Sequence, residues 1–483
     1  MPRLDASFLD GRARPTPRIV QFGEGNFLRA FFDWKVDRLN EAAGGDWGVV
    51  VVRPIDGGVP FSLNEQDGVY TTVIRGMDEN GNEVSEPRRI ASLVKEIPAY
   101  GDWDGVLALA RDTNIVLVVS NTTEAGIAYD PACKPDDAPP ATFPAKVTRF
   151  LWERWTQCGK AEAPGIQFMP CELIDHNADE LRACILKYAA AWNLGADFTA
   201  WIESACAFYN TLVDRIVTGY PRAEVDTLQA EFGYEDKFMV AAELFHLLVI
   251  ERKDGVPPFV LPLAEHDSGT IVVPDAGPYK ERKVGILNGS HTGLCPLAML
   301  AGVETVSETV KDAAVAKFVD GMLEEEVLPF LSLPKAELEE FAASVLRRFA
   351  NPFIRHLWYD ISLNGIAKFN TRNLPRLQAY MEKNGQPPKR MSLSLAAWLA
   401  FYLGKFEGAA TLKPRDSEDV LAIFERIGGL ADVDAMVSAF LGEKAFWTRS
   451  IDDPKLHAAV VSAYGFLTEK PFTFDRLGEF LAA

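Results

Sequence analysis

Three short segments near the N-terminus restrict the fold more than anything else in the chain. Residues 18–23 (RIVQFG) are a short apolar run that ends in glycine. Residues 27–40 (FLRAFFDWKVDRLN) carry Phe27, Phe31, Trp34, Val36 and Leu39 at helical spacing, and residues 47–52 close on four consecutive valines. A valine run of that kind suits a strand buried on both faces, as in a parallel sheet covered by helices. Strand, glycine turn, helix and strand make a βαβ unit with a right-handed crossover. Further strands are expected at 70–75 (YTTVIR), 115–120 (IVLVVS) and 165–170 (GIQFMP), so the first 200 residues predict an open, mostly parallel sheet. Helical spacing dominates later, over 198–217, 234–251, 298–328, 335–349, 393–406, 417–427 and 432–441. Pro/Gly punctuation at 253–258 (KDGVPP) and 384–389 (NGQPPK) separates these segments. The expected class is α/β, with a Rossmann-like doubly wound domain over 1–208 and a largely α-helical substrate domain over 209–483. A site is expected at their junction.

The charge balance narrows the partners. The chain has 49 Lys and Arg against 68 Asp and Glu, a net charge of −19. Nucleic acid and anionic membranes both demand clustered positive charge, so a small-molecule partner is expected instead. Six scattered cysteines with no C-x-x-C pair read as reduced thiols. Residues 1–15 lack the apolar core of a signal peptide, and no run of 18 apolar residues occurs. The expected location is the cytoplasm.

Gly23-Glu24-Gly25 sits between strand and helix, where a dinucleotide-binding turn belongs. Such a turn needs a tight bend, then a position without a side chain so that pyrophosphate can reach the helix N-terminus. The candidate cofactor residues are therefore Phe22, Gly23, Gly25, Asn26 and Phe27. The usual third glycine is missing, and Arg29 follows where it could offer a cation instead. An ordinary strand–helix turn is the competing reading. The second strand ends on Arg53, where an acidic residue would hold the ribose 2′-hydroxyl of NAD and an arginine could accept the 2′-phosphate of NADP. Arg53 leaves that choice open.

The segment 283–293 (KVGILNGSHTG) holds Lys283, Asn288 and His291, which project from one face of a helix at 100° per residue. Apolar neighbours Val284, Ile286 and Leu287 desolvate that face. A desolvated lysine exchanges protons near neutral pH, and an amide donates to a developing oxyanion. The set suits proton transfer at a carbonyl or alcohol oxygen; a solvated lysine, a capping asparagine and a core histidine are the competing reading. No H-E-x-x-H or Cys/His spacing supports a metal. GSHTG at 289–293 places histidine where a hydrolase elbow needs serine. His246 reads as a core residue, His356 and His457 as surface or packing residues, HDSG at 266–269 as a turn, and the acidic run at 322–326 as a solvated face. Arg355, Lys368 and Arg372 form a basic group suited to a carboxylate, with Lys368 and Arg372 the stronger candidates.

The spacing Lys-x4-Asn-x2-His within K-x4-NGSH resembles the signature of the polyol-specific long-chain dehydrogenases, the mannitol dehydrogenase family. The resemblance extends to IVQFGEGNFLR (19–29), QDGVYTT (66–72), TTEAG (122–126), TFPAK (142–146), NTLVDRI (210–216) and the stretch from Asn351-Pro352 to Lys368. It implies Lys283 as general acid/base, Asn288 as an oxyanion-hole amide, His291 as the residue that orients substrate and lysine, and Gly23 and Gly25 as phosphate-turn glycines. It also places Asp214 and Lys368 around the substrate. With CELID (171–175), it implies metal-free, NAD-dependent interconversion of a ketohexuronate and its alcohol, D-tagaturonate and D-altronate. Fructuronate or a mannitol-type polyol is the alternative substrate, and a non-catalytic sugar-acid sensor the distant one. Where the family has a second oxyanion asparagine this chain has Leu173, so either the hole has one amide fewer or a neighbour such as His176 or Asn177 substitutes.

Overall fold

A computed structural model describes residues 1–57, 60–123, 125–406 and 412–482. Glu124 of the TTEAG motif lies outside the described residues. The chain divides into two compact units, one of Met1–Gly76 and Glu83–Ala276, the other of Met77–Asn82 and Gly277–Ala483.

The first unit is built on strands β1 (Pro17–Phe22), β2 (Gly48–Arg53), β3 (Tyr70–Met77), β4 (Glu83–Ile90), β5 (Leu93–Pro98), β6 (Leu117–Ser120), β7 (Gln167–Pro170), β8 (Ala207–Phe208), β9 (Asn210–Asp214), β10 (Val217–Gly219), β11 (Val240–Ala242), β12 (Leu247–Glu251) and β13 (Thr270–Val273). Six of them pair in parallel in the order β5-β2-β1-β6-β7-β8. This is the 3-2-1-4-5-6 order of a doubly wound dinucleotide-binding sheet. Alternate side chains feed two separate cores. Ile19, Val49, Val51, Leu117 and Val119 point into one, and Val20, Phe22, Val50, Val52 and Val118 into the other. The valine run is therefore buried on both faces, as its composition demands.

Several sequence expectations change here. The first helix is broken into α1 (Asn26–Arg29) and α2 (Phe32–Ala43). YTTVIR is a strand, but it joins the four-stranded sheet β10-β11-β3-β4 and not the parallel one. The expected helices over 198–217 and 234–251 become α6 (Ala196–Ala205) followed by β8–β10, and β11–β12. Short apolar runs such as LLVIE at 247–251 fit either period, and antiparallel pairing to β9 with parallel pairing to β13 settles this one as strand. Val213, Leu248 and Ile250 share a core with Ile19 and Val49. That shared core is why the first unit extends to Ala276 and does not stop at 208.

The second unit is helical. Its centre is a pair of helices, Gly289–Leu300 and Lys389–Tyr402, buried over all twelve residues of the first and over Met391–Tyr402 of the second. A helix apolar all round must lie inside a bundle. Trp398 Nε1 donates to Thr292 O (3.0 Å) across the pair. The acidic run at 322–326 is a π-helical turn, Met322–Val327, and only part of it is solvated. Glu326 is buried, accepts the backbone N–H groups of Arg390 and Met391 (both 2.8 Å), and so caps the second central helix. Among the described residues no helix is long and apolar enough to cross a membrane.

Under the glycine turn Asp33 is fully buried, and its Oδ1 has no hydrogen-bond partner. Gln21 Nε2 and Tyr70 OH both lie 3.4 Å from Oδ2. Burial pushes the carboxyl up to about 7. A raised folded-state value means that this group costs stability as pH climbs from the unfolded carboxylate range to about 7, and the cost is constant above that. Asp33→Asn is therefore expected to raise stability at pH 8 by on the order of 1–3 kcal/mol, with the gain shrinking toward pH 5. Thermal melts of both proteins across that range measure it; a gain that grows toward pH 5 contradicts it.

Candidate active-site residues in the two units

In the first unit the turn after β1 fits its proposed task. Gly23 has φ of +113°, and a Cβ there would lie 3.2 Å from Asn121 O, so a side chain is excluded on two counts. Gly25 precedes α1, and the space its Cβ would fill is open. Gly25 and Asn26 are exposed, and Phe27 is half-buried against Phe31, with ring centroids 4.9 Å apart. Phe22 contributes backbone: its carbonyl accepts Asn121 N–H (3.3 Å), while its ring is buried beside Phe143.

Arg29 does not reach outward. Its Nε donates to Glu24 O (3.1 Å), Nη2 to Asn26 Oδ1 (2.6 Å) and Nη1 to Phe238 O, and the guanidinium packs on the Tyr70 and Phe238 rings. It fastens the turn from below, because a guanidinium only 7% exposed must satisfy its donors locally. Gln21 adds a second tie, donating to Gly23 O (3.0 Å). The CELID motif acts in the same way. Glu172 accepts from Ser120 Oγ (3.1 Å) and from Thr122 N and Oγ1 (2.9 Å each), locking the ends of β6 and β7 together.

Beyond the carboxyl ends of β2 and β5 lies a cleft of about 540 Å³, lined among others by Arg53, Asp56, Phe61, Glu96 and Tyr100. Ligands of open α/β sheets bind in that position. Leu173 is 62% exposed, and His176 caps α5 (Asn177–Ala191) in a left-handed conformation with its side chain 70% exposed. Asn177 cannot replace the missing oxyanion amide. Its Nδ2 donates to Pro170 O (3.0 Å), Glu172 O and Thr211 Oγ1 (3.1 Å each), and its Oδ1 accepts Thr211 N–H. Asp214 is buried at the end of β9, paired in register with Leu247.

In the second unit Lys283 and Asn288 open and close a π-helical turn, Lys283–Asn288, that runs into the Gly289–Leu300 helix. On an ordinary helix these residues would lie 140° apart. The wider i→i+5 turn brings the fifth residue back over the first, and such turns occur frequently at functional sites. Lys283 and Asn288 are half-buried and His291 is buried. Asn288 Oδ1 and His291 Nε2 are both shielded from solvent without a hydrogen-bond partner. Buried polar atoms of that kind are rare and mark candidate ligand contacts.

His291 stacks on Phe349 (centroids 4.2 Å) and meets the edges of His356 (5.0 Å) and Trp358 (6.1 Å). Burial, and then the positive fields of His356, Arg348, Arg372 and Lys368, hold its imidazole well below the usual range, so it is neutral. Lys368 Nζ donates to Ile361 O (2.8 Å), and burial followed by Arg372 lowers its pKa. Arg372 Nη1 donates to Thr292 Oγ1 (3.2 Å), and Asn373 Nδ2 donates to Gly289 O (3.0 Å). These bonds tie the Gly365–Arg372 helix to the turn that carries His291. Arg355 lies apart, 70% exposed and paired with Glu304 (2.7 Å).

The structure thus keeps Lys283, Asn288, His291, Lys368 and Arg372 in one unit and adds Arg348 and His356, which no spacing singled out. The only available signal was chemical: arginine and histidine flanking the apolar FANPFI at 349–354. Among the described residues no three His, Cys, Asp or Glu side chains converge as a metal site. Burial and then the positive groups around it predict that the His291 imidazole titrates below the usual histidine range. Side-chain NMR of a His291→Gln difference pair measures this, and a titration midpoint in or above that range would contradict it.

Residues 17–258 match the Mannitol dehydrogenase Rossmann domain, and residues 275–468 match the Mannitol dehydrogenase C-terminal domain. The altronate oxidoreductase of Pectobacterium carotovorum subsp. carotovorum (strain PC1) is 46% identical over 480 residues, covering 97% of this chain and 98% of the relative. That of Pectobacterium atrosepticum is 51% identical over 408 residues, covering 84% and 83%. In fold the chain is similar to a substrate-free D-sorbitol dehydrogenase (TM-score 0.82, 24% identity, 98% and 99% covered). It is also similar to the Pseudomonas fluorescens mannitol 2-dehydrogenase solved with NAD and D-mannitol (TM-score 0.69, 24% identity, 99% of each chain). Two family domains that together span most of the chain, and relatives near half identity over nearly its full length, make this protein a member of the mannitol dehydrogenase family.

Proposed function

We propose that this protein is an NAD(H)-dependent oxidoreductase that interconverts a ketohexuronate and its alcohol, D-tagaturonate and D-altronate, with Lys283 as general acid/base. The observation that carries this reading is the make-up of one cluster. An ammonium, an orphaned amide oxygen and an orphaned neutral imidazole share a π/α turn, and Arg348, Lys368 and Arg372 set the field around the imidazole. The curated relatives named altronate oxidoreductase support the substrate class.

The first unit has what a dinucleotide needs. Gly23, which tolerates no side chain, and Gly25, which leaves open space, bring backbone to the pyrophosphate, and Asn26 and Phe27 follow at the start of α1. The cleft beside Arg53 takes the adenosine end. When bound, the reduced nicotinamide supplies hydride to the keto carbon.

Every other step belongs to the protein. Protonated Lys283 donates to the carbonyl oxygen as negative charge develops there, and in oxidation it takes the hydroxyl proton back. Asn288 donates its amide N–H to the same oxygen. Neutral His291 uses Nε2 toward a neighbouring hydroxyl, so substrate binding satisfies an atom the protein leaves unpaired. Lys368 and Arg372 meet the carboxylate, and the guanidinium offers paired donors. Arg348 adds to the attractive field. His176 and Asp214 lie in the first unit, and a direct role for them in substrate binding rests on the family resemblance.

Lys283→Ala is expected to lower kcat by at least about 100-fold in both directions, while NADH affinity changes less than threefold. Absorbance assays with tagaturonate, fructuronate and fructose, beside an NADH binding titration, measure this; near-normal kcat would sink the lysine role. Arg372→Gln is expected to lower the ratio of kcat/KM for tagaturonate over fructose by at least about tenfold, the scale of one charge-assisted contact. An unchanged ratio would remove Arg372 from the carboxylate site.

A further inference from the structure

The cleft beyond β2 and β5 carries an unusual arrangement for a chain whose second strand ends in arginine. An arginine there is the group that receives a 2′-phosphate, yet Arg53 is already committed. Its Nη2 lies 2.7 Å from Glu96 Oε1 and donates to Phe61 O (2.8 Å), and its Nε lies 3.9 Å from Glu24 Oε1. Glu96 comes from β5 and is 2% exposed. Its position is fixed from three further sides: Leu63 N donates to Oε2 (3.0 Å), Ser62 Oγ to Oε1 (3.3 Å), and Asn64 Oδ1 accepts the Glu96 N–H (2.8 Å). This carboxylate is an anchor, and the arginine is what it holds.

Two lysines lie farther along the wall, Lys146 over the Tyr100 ring (5.0 Å) and Lys237 over the Phe61 ring (4.3 Å), but the charges at Arg53 itself are acidic. Glu24 belongs to the glycine turn itself, and Asp56 lines the wall. Glu65 is the lining carboxylate with other partners, Lys237 (3.4 Å) and Arg3 (3.6 Å). Arg53 therefore sets one positive charge against the two carboxylates of Glu96 and Glu24, and the balance at that point is negative. A phosphorylated ribose would bring nearly two further negative charges to that point, whereas an unphosphorylated ribose brings two hydroxyls that donate to carboxylates.

We infer that Glu96 is a specificity-determining positioning residue: by holding Arg53 against the β5 edge, with Glu24 alongside, it makes the cleft select a dinucleotide with a free ribose 2′-hydroxyl over one bearing a 2′-phosphate. The inference rests on the dinucleotide reading above and goes beyond it. It assigns the selection to a carboxylate on the third strand of the Rossmann order, where the second strand offers none.

The test is equilibrium titration of the full-length protein with NADH and with NADPH, followed by nucleotide fluorescence, so that no sugar substrate and no turnover is involved. The wild-type protein is expected to bind NADH at least tenfold more tightly than NADPH. Glu96→Gln is expected to narrow that ratio at least tenfold, chiefly by tightening NADPH, and Glu24→Gln to narrow it several-fold. Because Glu96 is buried, a circular-dichroism melt accompanies its variant; the more exposed Glu24→Gln keeps the test decisive if Glu96→Gln does not fold. Adding Arg53→Gln to Glu96→Gln is expected to abolish the gain, since the released guanidinium is its source. Ratios unchanged within twofold in the Glu96 and Glu24 variants, or a gain that survives loss of Arg53, would overturn the inference while leaving the dinucleotide reading intact. Failure of the wild-type protein to bind either nucleotide would overturn that reading, and this inference with it.

Discussion

A parallel sheet has no face it can show to water, and that constraint organises the first unit. Each of its central strands must present apolar side chains alternately to two cores, and the valine run of β2 does so without a polar interruption. One core is closed by the helices α3 (Trp103–Arg111), α4 (Phe143–Gln157), α5 and α6, and the other by α2 together with strands of the two smaller sheets. With both faces covered, backbone and polar groups reach solvent chiefly at the strand ends. There the turn after β1, the loop after β6 and the cleft beside β2 and β5 gather.

Those strand ends are stiffened by buried polar groups. Arg29, Gln21, Asp33 and Tyr70 form one cluster under the glycine turn, and Glu172 joins the ends of β6 and β7. Buried groups of this kind are costly unless satisfied, so Arg29, Gln21, Tyr70 and Glu172 each fix the backbone atom they bond, while Asp33 meets only the Gln21 and Tyr70 side chains. The Lys35–Asp267 pair, with His246 Nδ1 2.9 Å and Thr270 Oγ1 3.2 Å from Lys35 Nζ, is a further example, tying α2 to the HDSG turn and the start of β13. His246 is thus a core residue, and the HDSG turn is where its charged neighbour comes from.

The net charge of −19 sharpens the meaning of the cations. A protein this acidic repels anions at long range, so attraction for the proposed sugar acid must be local. Several arginines that looked available are already paired: Arg29 holds a turn and Arg53 a buried carboxylate, while Arg355 meets a glutamate at the surface. The field at His291 comes from His356, Arg348, Arg372 and Lys368, the last three brought together by two separate helices. The π turn completes the arrangement, because it changes the angular spacing of Lys283 and Asn288 without inserting a loop.

The βαβ opening, the parallel sheet and the helical second half were all legible in the sequence, as was the placing of Lys283, Asn288 and His291 on one helical segment. Each rests on local pattern: an unbroken apolar run, a glycine between strand and helix, polar residues at fixed spacing in apolar surroundings. Tertiary structure decided what local pattern leaves ambiguous. LLVIE became a strand only because β9 and β13 lie on either side of it, and that pairing moved the end of the first unit from 208 to 276. Side-chain direction was likewise invisible, since an arginine's letter is the same whether it faces ligand or lies pinned to Glu96. Arg348 and His356 lie 57 and 65 positions beyond His291 in number, and only packing brings their charge to bear on it. Sequence determined which groups the chemistry has to work with; folding determined which of them already have partners.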